Sequence, residues 1–147
     1  NVGGVLGDWL INSGALSVRG TRVAINSVGF AVAALALSWL PHVSGPAGAN
    51  ATLSLALSGL GLARGGFSVN HMDIGPKYAG LIMGVSNTCG TLSGVVGISL
   101  TGSMLEAGGG SGAVSGWAQA MGASSALCVI GAVVFALLAE GKVVVGR

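Results

Sequence analysis

Gly65–Asn87 reads GGFSVNHMDIGPKYAGLIMGVSN. His71, Asp73 and Lys77 fall within seven residues here, beside the pair Gly75-Pro76, and long apolar runs lie on both sides. Glycine and proline turn a chain, and charges hold a turn at a water-facing edge. Reading outward, Val23–Pro41, Val43–Ala63, Tyr78–Leu105 and Ala107–Ala139 contain no Asp, Glu, Lys or Arg. Each run is about as long as the roughly 20 residues that cross about 30 Å of hydrocarbon. Over all 147 residues only 7% are charged, against about a quarter in soluble domains. Mean hydropathy is +0.84. The chain reads as an all-α integral membrane protein, and a soluble enzyme is excluded.

Four spans fit, at about 23–40, 51–67, 76–104 and 117–139, after a stub that runs into a loop carrying Arg19 and Arg22. Pro41 stops the first span. Pro76 suits the first turn of the third, where its missing N–H has no partner to lose. Arg19, Arg22, Lys77, Lys142 and Arg147 all fall in alternate connections, whereas the other two hold only His42 and Glu106. Four alternating spans therefore gather the cations on one side, the cytoplasm or an organelle's side of insertion.

Small residues recur at helical spacing. Ser27, Ala31, Ala34 and Ser38 mark the first span; Ser54, Ser58, Gly61, Gly65 and Ser68 the second; Gly80/Gly84 and Gly90/Gly94 the third. Such stripes let helix backbones approach where no hydrophobic effect drives them together. Soluble-enzyme signatures fail: GLGLARGG has Arg64 where a dinucleotide fingerprint needs glycine, and EGKVV lacks the rest of a phosphate loop. Two histidines without ligand-spaced neighbours imply no metal site. A net charge of +2 without a basic run gives no nucleic-acid footprint. Cys89 and Cys128, both inside apolar runs, read as packing residues. The sequon Asn50-Ala51-Thr52 abuts a span and is expected to be unused.

The block GGFSVNHMDIGPKYAGLIMGVSNTCGTLSG resembles the anion:cation symporter family of the major facilitator superfamily, which includes vesicular glutamate, lysosomal sialic-acid and plant plastid phosphate transporters. Asn70-His71, Asp73-Ile74, Pro76, Tyr78-Ala79, Gly84, Ser86-Asn87, Gly90 and Leu92–Gly94 carry the likeness. GGVLGDWLINSGALSVRGTRVAINSVGF is similar to the loop between that family's eighth and ninth helices. NHMDIGPKYAG is spelled most like the phosphate branch. The resemblance implies the C-terminal part of a twelve-helix fold: the end of helix eight, then helices nine to twelve.

Roles follow as expectations. Asp8 and Arg22 are expected to form a gating latch in a glycine-rich loop, with a solvated anion as the alternative for Asp8. His71, Asp73, Pro76 and Lys77 are expected to form a hinge between helices ten and eleven. Asp73 would sit just before the third span, favoured by that helix's dipole, and Lys77 would anchor the same end at the interface. His71 carries imidazole, suited to a proton relay, but a structural hydrogen bond is the stronger expectation at a membrane edge. Arg64 either snorkels to the interface or lines a central cavity, where Asn87 is the best mid-helix polar candidate.

The expected function is secondary active anion transport, with inorganic phosphate leading and Na⁺ or H⁺ coupled. The alternatives are an organic-anion symporter of the same family or a stand-alone four-helix structural or channel subunit. No catalytic residue, cofactor or nucleic-acid partner is expected. The expected partners are lipid, a small anion and the missing N-terminal half, without which the chain would not transport. A multi-pass protein of a plastid or other organelle membrane fits.

Overall fold

A computed structural model describes residues 2–144. Arg147, counted above among the loop cations, lies outside the described residues. Among these, five α-helices follow one another: α1 Val2–Asn12, α2 Val18–Trp39, α3 Pro46–Ile74, α4 Ala79–Ala107 and α5 Val114–Leu138. Among the described residues there is no strand.

α2 starts at Val18, five residues before the expected span. Ser17 explains the start: it is extended, and its hydroxyl accepts the Gly20 N–H at 3.1 Å, supplying one of the orphan partners of a first turn. Arg19 and Arg22 therefore stand in the opening turns of a helix and not in a loop. One 3₁₀ turn, Leu40–His42, ends the segment, and Gly45 at φ +82° turns the chain into Pro46 at the start of α3. α3 runs on to Ile74, so His71 and Asp73 belong to its last turns. The turn between α3 and α4 is shorter than expected, consisting of Gly75 and the 3₁₀ turn Pro76–Tyr78. Asp8 likewise lies within α1, exposed, and not in a loop.

α2 and α3 form an antiparallel hairpin pressed together at glycines. A Cβ on Gly29 would lie 2.5 Å from the Gly59 carbonyl oxygen, and one on Gly66 would lie 2.5 Å from that of Arg22. Real side chains do not survive such distances, so only glycine permits this spacing. α1 lies on α3 in the same manner, Gly3 against Gly65. Of the glycines in the expected stripes only Gly65 is a close-approach position: Gly61 meets nothing within 4 Å, and neither do Gly80, Gly84, Gly90 or Gly94.

α5 packs along α2. Ala33, Ala34 and Cys128 are buried together, with Phe30, Leu37 and Leu60 against them. Ser125 donates to the Ala34 carbonyl at 2.9 Å and lies 2.8 Å from the Ser38 hydroxyl, so the buried hydroxyl is satisfied across the two helices. α4 has no buried residue. Leu35, Ile98, Leu137 and Leu138 are among many large apolar side chains facing outward. Water penalises such a surface and hydrocarbon does not.

Among the described residues three helical segments are long and apolar enough to cross a membrane: Val18–His42, Pro76–Ala107 and Val114–Leu138. α3 matches them in length, with 29 residues. Its glycines, serines, asparagines and Arg64 keep it below them in apolarity.

Candidate functional site

Among the described residues two polar assemblies stand out, one at a helix-end cluster and one in a cleft. At the cluster the start of α2, the end of α3 and the end of α5 meet. Arg22 Nε donates to Asp73 Oδ2 at 2.7 Å, and Nη2 reaches Oδ1 at 3.3 Å. The fork-to-carboxylate geometry is the strong form of an ion pair. Both side chains are largely sheltered, 5% and 18% exposed. Each is poorly placed for its own helix: a cation near the positive end of α2, an anion at the negative end of α3. Pairing removes both penalties together.

The expected latch put Arg22 with Asp8. Arg22 pairs with Asp73, and the α1 residue that meets it is Gly7, where a Cβ would lie 3.0 Å from Arg22 Nη1. The missing side chain lets α1 cover the guanidinium. Asp8, one residue on, points outward and has no ion pair among the described residues. Asp73 is also not a helix-start anion: it ends α3, and Arg22 holds it instead of a dipole.

Arg19 reaches across to α5, donating from Nε to the Ala139 carbonyl at 2.7 Å and from Nη2 to that of Ala136 at 2.8 Å. A cation on terminal carbonyls satisfies groups the helix itself cannot. The tail then folds back. Asn70 Nδ2 donates to the Glu140 carbonyl at 2.7 Å, and the Val144 N–H to that of Ile74 at 2.8 Å. Gly141 lies so close to Arg19 that a Cβ would come within 2.6 Å of its backbone nitrogen. Lys77 and Pro76, at the adjoining turn, are exposed. Among the described cations, Arg19, Arg22, Lys77 and Lys142 therefore cluster at one end of the helices.

The second assembly is a cleft of about 770 Å³ between α3 and α4. Arg64, Ser68 and His71 line it from α3, and Ser86, Asn87 and Thr91 from α4. Residues 64, 68 and 71 share a helical face by their spacing of four and three. His71 Nε2 lies 3.3 Å from the Ser86 hydroxyl, bridging the two helices. Arg64 has no ion pair among the described residues. It stands ten residues before the end of α3, about 15 Å along the axis at about 1.5 Å per residue. A guanidinium, hydroxyls and a carboxamide around one open space form a donor set for an anion. The cleft brings together Arg64, Asn87 and His71, which the sequence reading had assigned to two different features.

Asn26, Asn70 and Arg19 were missed. Asn26 is wholly buried, and neither atom of its carboxamide has a partner among the described residues. Its signal was available, a lone asparagine inside the uncharged run Val23–Pro41. The tail contacts carried none, because on the tail's side they use only backbone atoms. Among the described residues no three His, Cys, Asp or Glu side chains gather as metal ligands.

An all-helical, multi-pass membrane protein with a polar interhelical cleft is the class these features define. No family model matches the chain. Over 146 residues it is 44% identical to "Probable anion transporter 6" of Oryza sativa subsp. japonica, covering 97% of this chain and 34% of that protein. It is 37% identical over 142 residues to "Ascorbate transporter, chloroplastic" of Arabidopsis thaliana, covering 97% and 25%. "Sodium-dependent phosphate transport protein 1, chloroplastic" of the same plant is 34% identical over 145 residues, covering 99% and 27%. The chain is a homologue of anion transporters along nearly all of its own length, as its resemblance to the anion:cation symporters implied. It spans about a third of the length of the first of them.

Proposed function

We propose that this chain is the C-terminal portion of a secondary active anion transporter that works by alternating access. In this reading α1 is the end of helix eight, and α2 to α5 are helices nine to twelve. The hairpin supports α3 as a span despite its lower apolarity. α2 is apolar enough to cross, and α3 returns antiparallel to it over a comparable length. The α3–α4 cleft is the anion-facing surface of this half. Arg64 supplies the charge, and Ser86 and Asn87 supply orienting hydrogen bonds. Its depth of nearly three turns from the helix end favours the cavity over snorkelling. Arg22–Asp73 fastens the cytoplasmic ends of helices nine and ten, and Gly75–Tyr78 is the hinge to helix eleven.

The observation that carries the reading is Arg64, unpaired among the described residues, opposite Ser86 and Asn87 across one open space. Inorganic phosphate is the leading substrate, from the spelling of NHMDIGPKYAG, with Na⁺ or H⁺ coupled and a plastid or other organelle membrane as the location. An organic anion is the second reading, favoured by the likeness to a protein named for ascorbate. Transport needs two halves rocking about a midplane site, so this chain alone is expected not to transport.

The test is uptake of labelled phosphate or ascorbate into vesicles by the full-length protein, with and without Na⁺ or a pH gradient. Arg64→Leu should raise the apparent KM several-fold, with protein abundance unchanged. Uptake of ascorbate without phosphate would replace the leading substrate, and unaltered kinetics in Arg64→Leu would remove Arg64 from the site.

A further inference from the structure

His71 lines two cavities at once. Its Nε2 faces the α3–α4 cleft, 3.3 Å from the Ser86 hydroxyl. Its ring also borders a second pocket of about 480 Å³ between α2, α3 and α5, where Phe30, Phe67 and Phe135 form the walls. Asn26 and Asn70 are the other polar residues of that pocket. Asn70 is engaged with the tail. Asn26 is 0% exposed, and its carboxamide has no partner among the described residues. His71 Nδ1 is buried and equally without a partner there. Two orphaned polar groups in a space large enough for several waters specify hydration, since an unpartnered buried polar atom costs about 1–3 kcal/mol.

We propose that His71 is the residue through which a proton and an anion bind cooperatively in the α3–α4 cleft, its second nitrogen served by water in the Asn26 pocket. This rests on the reading of that cleft as the anion site. An imidazolium has two N–H donors and no acceptor. The Ser86 hydroxyl can accept one, and water held by Asn26 the other, so both nitrogens can carry protons without meeting a competing donor. The proton comes from bulk hydronium and is relayed through that water: an O–H bond breaks as the Nδ1–H bond forms, and the relaying water, re-protonated from the bulk side, stays neutral.

The charges nearby set the sign. Arg64 lies on the same face of α3, and its charge opposes a second cation. Asp73 lies two residues on, but its carboxylate is held by Arg22 of α2. α4 presents no charged side chain to the cleft, its polar groups there being Ser86, Asn87 and Thr91, and α5 presents only apolar side chains around Val134 and Phe135. Glu140 touches Asn70 through its carbonyl, and Lys77 and Tyr78 stand exposed at the turn. An anion in the cleft therefore supplies the charge that an imidazolium beside Arg64 lacks. Proton and anion each favour the other's binding, by the same factor.

Two measurements test this. In vesicles bearing the full-length protein, the apparent KM for labelled phosphate is followed from pH 6 to 8 for wild type, His71→Asn and His71→Gln. Phosphate's own titration is common to all three and cancels in their ratios. Wild type should lose affinity relative to both variants as pH rises, by up to about tenfold per pH unit, the limit for one linked proton. In detergent, phosphate binding to the full-length protein should draw protons from the buffer, read by calorimetry in buffers of different ionisation enthalpy, and should draw fewer in His71→Gln. Parallel KM profiles, with equal proton uptake in wild type and His71→Gln, would overturn the proposal and leave anion transport standing. Phosphate-linked proton uptake that is lost in His71→Gln, in a protein without transport, would support it and count against the transport reading. No uptake and no phosphate response would overturn both.

Discussion

The α2–α3 hairpin and α4 are written in the same small-residue alphabet, yet they come to opposite ends. Gly29, Gly59 and Gly66 are pressed against backbone, with no room for a methyl group. Gly80, Gly84, Gly90 and Gly94, with equally regular spacing, face open space on a helix with no buried residue. A small-residue stripe is thus a capacity for close approach. Whether it is used depends on what faces it. In α2–α3 the polar residues Arg22, Asn26 and Asn70 are buried alongside the glycines, whereas Asn87, Thr88 and Thr91 of α4 stay exposed.

The sharpest way to break this contrast is with bulk. Gly66→Leu should abolish the folded hairpin, seen as aggregation in size-exclusion chromatography, while Gly84→Leu should leave this chain's elution unchanged. Equal damage from both would show that α4 is packed as tightly as α3. Next in size is the ion pair. Asp73→Asn strands Arg22 and should cost about 3 kcal/mol, the low end for a buried pair because Asp73 keeps some contact with solvent. The paired replacement Arg22→Met with Asp73→Leu should recover most of it in thermal unfolding. Gly141→Ala should detach the tail from Arg19, costing about 1–3 kcal/mol of overpacking and speeding amide exchange at Val144. Smallest is Ser125→Ala, at about 1 kcal/mol in all, the low end of about 0.5–1.5 kcal/mol for each of its two interhelical hydrogen bonds. An effect of Gly141→Ala no greater than that of Ser125→Ala would mean the tail contact is loose.

The membrane class was legible at once, because uncharged runs such as Tyr78–Leu105 are properties of the chain that need no partner. The side on which cations gather was legible too, and the structure brings Arg19, Arg22, Lys77 and Lys142 to one end. Asp73 shows where legibility stopped. Read locally, Gly75-Pro76 made it a residue preceding a helix. In fact α3 persists to Ile74, because Arg22 from 51 residues away makes a carboxylate tolerable at a helix end that would otherwise repel it. Asp8 was attractive for its charge, but the neighbouring Gly7 makes the contact, and a contact made by an absent side chain leaves no chemical signature. Arg64 and Asn87 were singled out together as cavity candidates, although nothing in the spacing showed that His71 would border the same cleft.

Length and charge spacing alone settled that this polypeptide is helical and lipid-crossing, since transfer of a segment into hydrocarbon depends on sums along that segment. Which glycines touch, which carboxylate answers Arg22 and which helices enclose the Arg64–Asn87 space were decided only on assembly. Those choices depend on how each helix is rotated about its own axis. Rotation is set by contacts between residues far apart in the chain, and no local pattern encodes it.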